Sequence, residues 1–360
     1  MKKIIMLFLA FCLSISSLAE AKMKIGIITP TTSQSEDEFR AAEQIVAKYP
    51  GQVVHMTNPD NFSQEQETVI SNIVSMASDP EIKVILLAQA FGGSTAGIKK
   101  AMRDRSDITF MVFVPHEDPE VIAEVADVIV DFDNVNRGKT LPQLAQKLGA
   151  KKLVHYSFPR HMSYKLLADR RDMMMAECKN IGVEFVFVTM PDPATEGTPA
   201  LQQFLLEDVG RQVKALGKDT AFFTTNDAAA EPIIKRVAEL GAIFLEPDLP
   251  SPTMGYPGAL GLKIPSDKSG DFGFINNEIK TAIAKLGNTG RMSNWPIPGG
   301  IVTLKAMADL AFATNGDKAK LKDQNLLSAE MTKVAGVGVK LSTYGTMKNF
   351  NLLMLDNIIY

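Results

Sequence analysis

The sequence predicts an α/β protein of two lobes with parallel sheets, joined by a hinge. Three observations carry that prediction. Short apolar runs alternate with amphipathic helical stretches from Met23 to about residue 131, and the alternation starts afresh at Leu153. Such alternation builds parallel sheets with helices on both faces. The third observation is the polar elbow that follows the strands, clearest in TAFFTTNDAAAEPIIKRV at 220–237. There an apolar run (221–223) leads through Thr224–Asp227 into a helix with Ile233, Ile234, Val237 and Leu240 on one face. Polar elbows at the carboxyl ends of parallel strands are where open α/β sheets bind ligands.

The first lobe opens on MKIGIIT (23–29), an apolar strand. Ser35 and Glu38 then fit a capping box, with Glu36, Asp37 and Glu38 on the positive end of the helix they open. A second strand is expected over 52–56, and Ser63 with Gln66 is expected to cap the next helix through Met76. Strands at 84–88, 108–114 and 128–131 follow, the first leading through QAFGGST into a helix near Ala96.

The second lobe begins with a helix from Asn134 to the glycine stop at Gly149, then a strand at 153–156. A long helix runs to Lys179, with Met173–Met175 read as core packing. Strands are expected at 183–189 and 242–245, and helices at 200–216 and after Asp227. The passages 246–261 and 291–300 are too rich in proline and glycine to be regular elements. Helices at 276–286 and 301–314 and a last strand at 351–359 complete the chain.

The chain has 360 residues, 46% hydrophobic and 22% charged, a globular composition long enough for two domains. Residues 1–21 stand apart. Lys2 and Lys3, an apolar stretch from Ile4 to Leu13 and Ala19-Glu20-Ala21 make a secretory signal, too short to span a bilayer. Leu9-Ala10-Phe11-Cys12 approximates a lipid-attachment box, but Phe11 stands where a small residue is needed, so the soluble secreted form is favoured over a lipid-anchored one. Loss of Lys2, Lys3 and Glu20 takes the formal charge from −3 to −4, which leaves no basic footprint for nucleic acid. Cys178 would then be the one cysteine, unable to form an internal disulfide and read as a buried small hydrophobe.

Catalytic motifs fail in turn. Gly92 and Gly97 have the spacing of a phosphate loop, but Ile98 stands where lysine is required. Ser94 lies too far beyond its strand for a nucleophile elbow and is read as a helix N-cap. His55, His116, His155 and His161 have no zinc spacing, and Gly336-Val337-Gly338 lacks the third glycine of a dinucleotide fingerprint. No metal, cofactor or catalytic residue is assigned.

An exported chain of two consecutive Rossmann-like lobes, with FFTTNDAAAEPIIKRVAELGA, the opening IGIITP and the crossing D-N-x-N-x-G-K, resembles the type I periplasmic binding proteins. Within them it looks most like a binding-protein-like family related to the basic membrane protein type of nucleoside receptor. The resemblance implies crossings near 131–137, 246–258 and 291–298. It divides the chain into 22–132 with 253–296 as the first lobe and 133–252 with 297–360 as the second. It also implies a periplasmic or extracellular, monomeric receptor that passes a small ligand to an inner-membrane ABC permease. An exported enzyme using the same cleft and a ligand-sensing subunit of a membrane receptor are the alternatives.

A cleft between facing strand ends is a preferred place for a small-molecule pocket. Its expected walls are Thr31, Thr32, Ser33, Gln89, Phe91 and His116 from the first lobe. From the second come Ser157, Arg160, Thr195, Asn226 and Asp227, with Tyr256 from a proline-rich passage. Asn226 and Asp227 match the Asn-Asp pair that faces the ligand in sugar-binding members. Asp227 is the key position, because a carboxylate accepts two hydroxyl hydrogen bonds and suits a sugar or nucleoside better than an anion. Trp295 is expected to brace the hinge.

Overall fold

The computed structural model describes residues 23–360, so the expected export signal and Cys12 lie outside the described residues. The first lobe runs β1 (Lys24–Thr29), α1 (Glu36–Lys48), β2 (Val53–Thr57), α2 (Gln66–Ala77), β3 (Ile82–Ala88), α3 (Ser94–Met102), β4 (Thr109–Phe113), α4 (Pro119–Ala123) and β5 (Val128–Phe132). The second runs α5 (Asn134–Lys147), β6 (Lys152–Ser157), α6 (Pro159–Met162), α7 (Lys165–Ile181), β7 (Glu184–Thr189), α8 (Thr198–Leu216), β8 (Thr220–Thr224), α9 (Ala230–Leu240) and β9 (Ile243–Phe244). It continues through α10 (Tyr256–Ala259), α11 (Phe272–Lys285) and β10 (Ser293–Asn294). The chain then returns to the first lobe as α12 (Gly299–Ala313), α13 (Lys318–Leu321), α14 (Gln324–Ala335), β11 (Lys340–Thr343) and β12 (Phe350–Met354), and ends on β13 (Ile358–Ile359).

Strand order in the large sheet is β11-β12-β5-β4-β3-β1-β2, parallel throughout except for β11. The second sheet, β7-β6-β8-β9, is wholly parallel. Strands β3, β4, β5 and β8 are buried nearly end to end, the mark of parallel strands covered on both faces.

The late elements sit in the opposite lobes from those expected. Residues 297–360 were assigned to the second lobe, yet β12 pairs in parallel with β5 from Phe350↔Ile129 to Leu353↔Phe132. Helix α12 buries Leu304, Met307, Ala308 and Ala311 in the core shared with Ile25, Val84 and Met111. Conversely, α11 buries Ile275, Ile279 and Ile283 beside Phe222 and Phe244, so most of 253–296 belongs to the second lobe. The apolar stripe of each helix is readable in sequence, but which sheet face lacks a cover is not. The last strand is also two: β12 ends in one sheet, and β13 pairs antiparallel with β10 in the other lobe.

Three short segments therefore join the lobes: residue 133, residues 295–298 and residues 355–357. The segment 246–258 is not a crossing but a loop over the interface, since Leu249 packs on the first-lobe core and Thr253 Oγ1 donates to Asp37 at 2.9 Å. Two caps differ from expectation. Helix α2 starts after Glu65, leaving Ser63 outside it, and α3 is preceded by Gly93 in the left-handed region, with Ser94 already in the first turn. Ser35 does precede α1, but its hydroxyl donates to the Glu38 carboxyl instead of accepting from the helix backbone. Met174 is buried, whereas Met173 and Met175 are exposed.

Helices α5 and α7 cross at Gly138, where an added Cβ would lie 2.6 Å from the Arg170 carbonyl oxygen. That close approach sets Arg170 against Asn134, with Arg170 Nη1 donating to Asn134 Oδ1 at 2.7 Å.

Candidate functional site

Between the lobes lies a cavity of about 1020 Å³, walled by the carboxyl ends of strands from both sheets. In the first lobe, β3 and β4 are each followed by a non-glycine residue in the left-handed region, Gln89 at φ 50° and Val114 at φ 47°. Both line the cavity, and strain of this kind collects at functional sites. The Gln89 amide donates to the Phe113 carbonyl at 2.7 Å, which fixes the turn.

Beyond Gln89 comes an aromatic wall. Phe91 is covered by Phe62, their centroids 3.7 Å apart and their planes within 2°. His116 stands edge-on to Phe91 at 4.9 Å, and Tyr164 of the second lobe faces His116 across the gap at 5.8 Å. Burial holds the His116 imidazole down to about 3, helped by nearby His161 and Arg160, so the ring is neutral at pH 7. Burial likewise takes His161 down to about 4; its Nδ1 contacts the Thr225 carbonyl oxygen.

The opposite wall is acidic. Burial raises Asp37 and raises Asp131 to about 7; Glu38, buried behind the wall against Gly300, is raised to about 8 by burial with help from Asp37. Asp227 is raised well above the usual range by burial and then by the neighbouring Asp248; its Oδ1 accepts from the Leu249 amide at 3.0 Å. At Asp248 burial opposes ionisation, but Arg170 and Arg137 outweigh it and hold that carboxyl below the usual range. Arg170 donates to it at 2.6 Å.

Of the residues expected from sequence, Thr32, Ser33, Gln89, Phe91, His116, Arg160, Asn226 and Asp227 line this cavity. Four do not. The Thr31 hydroxyl turns to Asp60 and to Ser33 Oγ, the latter at 2.8 Å. Ser157 is wholly buried at the end of β6, 2.6 Å from Thr225 Oγ1. Thr195 closes a turn on the Asp192 carbonyl. Tyr256 is buried in the second-lobe core, where its hydroxyl donates to the Ser293 carbonyl at 2.8 Å.

Three lining residues are already engaged. Ser33 Oγ donates to Asp60 at 2.9 Å, Arg160 clamps Asp192 through two bonds of 2.8 Å, and the Asn226 side chain accepts from the Ala228 amide at 3.0 Å. Arg160 thus pairs with Asp192, not with Asp169, which holds Lys165.

Sequence reading missed Phe62, Tyr164, Asp37, Asp131 and Asp248 as lining residues. Asp37 and Glu38 were absorbed by the helix-dipole argument, and Asp248 lay in a proline-rich passage with no strand to place it. Phe62 had no signal beyond its type. The phosphate-loop lookalike is filled from within: Glu117 accepts from the Gly93 and Thr95 amides at 2.8 Å each, so a carboxylate already sits at the start of α3. Among the described residues no histidine is hydrogen-bonded to a serine hydroxyl or a carboxylate, no group of His, Cys, Asp and Glu could hold a metal, and no helix is long and apolar enough to cross a membrane.

Comparison with known proteins places this geometry. A structure from Clostridium difficile 630, described as that of a proposed transcriptional regulator, is 26% identical, with a TM-score of 0.78 over 94% of this chain and 99% of its own. A sugar ABC transporter protein from Actinomyces odontolyticus matches at a TM-score of 0.58 and 10% identity over 94% of this chain and 95% of its own. A periplasmic solute-binding protein from Actinobacillus succinogenes with bound D-allose matches at 0.54 and 11% identity, over 94% of this chain and 97% of its own. The fold is that of a type I periplasmic binding protein. In sequence, an uncharacterized protein of Treponema pallidum is 37% identical over 177 residues, 47% of this chain and 80% of its own. The family model described as "Protein of unknown function (DUF3798)" matches residues 23–293.

Proposed function

The chain belongs to that family, and from this premise we propose that it is an exported receptor that captures a small polar molecule between its lobes and delivers it to an ABC importer. The observation that carries the reading is the cavity of about 1020 Å³ whose walls come from both lobes, which are joined only by short crossings. Hinge closure around a bound molecule is the motion this arrangement allows. A hydrogen-bond-donating ligand of the sugar or nucleoside class suits the wall, because Asp37 and Asp227 offer acceptor oxygens and Phe62 and Tyr164 offer ring faces. The sugar-binding neighbours with the same fold agree with that class.

Native mass spectrometry of the protein purified from its own cell envelope tests the reading. A small mass lost on denaturation is expected. Thermal unfolding then checks the released compound, since a ligand at a hundred times its dissociation constant stabilises by about 2.7 kcal/mol. Absence of a captured mass, with no thermal shift from any sugar, nucleoside or amine, would overturn the proposal. The likeness to the clostridial protein favours a second use of the same cleft, as a sensor. Co-purification from membranes separates the two, yielding permease subunits in one case and a signalling receptor in the other.

A further inference from the structure

We infer that two histidines, one from each lobe, read the ligand together: His116 donates a hydrogen bond to it and His161 accepts one from it. The group they recognise is uncharged and carries both an acceptor and a donor, as a hydroxyl or the N–H/C=O edge of an amide does. This rests on the receptor reading above and deepens it to the chemistry of one end of the ligand.

The His161 ring is fixed from behind. It is 8% exposed, sits on the short helix α6 that follows β6, and lies 4.2 Å from the Phe158 ring. Its Nδ1 meets the carbonyl oxygen of Thr225, just past the end of β8. A carbonyl can only accept, so Nδ1 carries the hydrogen, and in a neutral imidazole the other nitrogen is then a bare acceptor. Nε2 has no hydrogen-bond partner among the described residues and is not enclosed by protein, and the ring lines the cavity. An open acceptor thus faces the cleft.

His116 has the opposite arrangement. It follows β4, with the Phe91 and Phe62 rings edge-on to it at 4.9 and 6.0 Å. Here Nδ1 is the enclosed nitrogen, and it has no partner. An enclosed N–H left unpaired is rarer in folded proteins than an unpaired acceptor, so the hydrogen belongs on Nε2. That nitrogen is not enclosed, and the ring lines the cavity, so the first lobe presents a donor where the second presents an acceptor.

Tyr164 lies between the two rings, its centre 5.8 Å from that of His116 and 5.6 Å from that of His161. One small molecule can therefore touch both. The charged groups acting on the pair, Arg160, Asp192 and Asp248, are engaged elsewhere: Arg160 holds Asp192, and Asp248 holds Arg170. Burial keeps both imidazoles neutral at pH 7. An ammonium group satisfies His161 but sets a second donor against His116. A carboxylate satisfies His116 but sets a second acceptor against His161. A hydroxyl or an amide edge satisfies both, and in doing so ties one lobe to the other.

Long-range nitrogen-15 NMR spectra of the histidine-labelled protein, assigned through His116→Phe and His161→Phe, read the ring hydrogens directly. At pH 7 without ligand, His161 is expected to carry its hydrogen on Nδ1 and His116 on Nε2, and neither ring should protonate down to pH 5. Either ring in the other tautomer, or protonated in that range, overturns the inference. Calorimetry then compares glucose, which offers hydroxyls, uracil, which offers amide edges, and uridine, which offers both, together with any compound the native protein releases on denaturation. Whichever binds should shift the nitrogen signals of both rings. His116→Phe removes no hydrogen bond within the protein, so it should stay folded by urea unfolding and weaken that compound about tenfold. A compound that binds without moving either ring, or that binds His116→Phe as tightly as the parent, overturns the inference and leaves the receptor standing. No binding by any probe, with no compound released by the native protein, overturns the receptor reading itself.

Discussion

Replacing Glu38 by glutamine removes one of the buried acids without removing its bulk. Glu38 is 2% exposed, pressed against Gly300 of α12 and bonded to Ser35. Burial, then Asp37, raises its pKa to about 8 from an ordinary 4.5. A carboxyl raised on folding contributes stability that is fully present below its unfolded pKa and is lost as pH rises through its folded one. Between pH 5 and pH 8 the folded protein therefore holds a proton that the unfolded chain releases. Each pH unit in that window costs about 1.4 kcal/mol. Three units amount to a loss on the order of 4 kcal/mol that Glu38→Gln does not suffer. Urea unfolding of both proteins at pH 5, 6, 7 and 8 reads this directly. The variant should be close to the parent at pH 5 and gain on it steadily toward pH 8. Stability curves that stay parallel across the window would refute the reasoning, because they would mean that Glu38 ionises in the folded state as it does in water.

Other outcomes are expected from the same contacts. Arg137→Met leaves the buried Glu246 without its cation and should cost about 3–5 kcal/mol in urea unfolding, part of which Glu246→Gln recovers in the double variant. Tyr256→Phe deletes one buried hydrogen bond and should cost about 1–2 kcal/mol while leaving binding of any cleft ligand unchanged by calorimetry. Cys178 is fully buried and its thiol is pushed up to about 12 by burial, so it should stay unreacted with a thiol reagent at pH 8 until the protein is unfolded.

The parts of this molecule that were legible in the sequence are those fixed by local pattern. The strand run Ala221–Phe223, the elbow at Asn226 and Asp227 and the helix carrying Ile233, Ile234 and Val237 appear as β8, a polar turn and α9. Gln89, Phe91 and His116 reach the cleft because each follows the end of a parallel strand, a position that periodicity locates. The errors arose where partners far apart in sequence decide the outcome. Ser157 also sits at a strand end, but Thr225 just past the adjoining strand captures its hydroxyl. Tyr256 lies beside proline and glycine, but the second-lobe core closes over it. The late helices α11 and α12 carry clear apolar faces, and only the finished sheets determine which of them lacks a cover.

The hinge explains why the acid wall and the crossings belong to one device. Arg137 follows the first crossing, Trp295 lies in the second and Asn357 in the third. The Arg137 guanidinium sits 5.6 Å from the Phe132 ring and 6.0 Å from that of Trp295. Glu246 binds Arg137 at 2.8 Å and accepts from Asn357 Nδ2 at 2.5 Å. All three strands of the hinge are thus tied to one buried ion pair. Two residues along the chain from Glu246, Asp248 faces the cleft and holds Arg170, which in turn holds Asn134 beside the first crossing. A group bound against Asp248 would therefore act on the residues that fix the hinge. Asp248 at the cleft and the side chains at the crossings are thus one hydrogen-bonded chain, Asp248–Arg170–Asn134–Arg137–Glu246–Asn357.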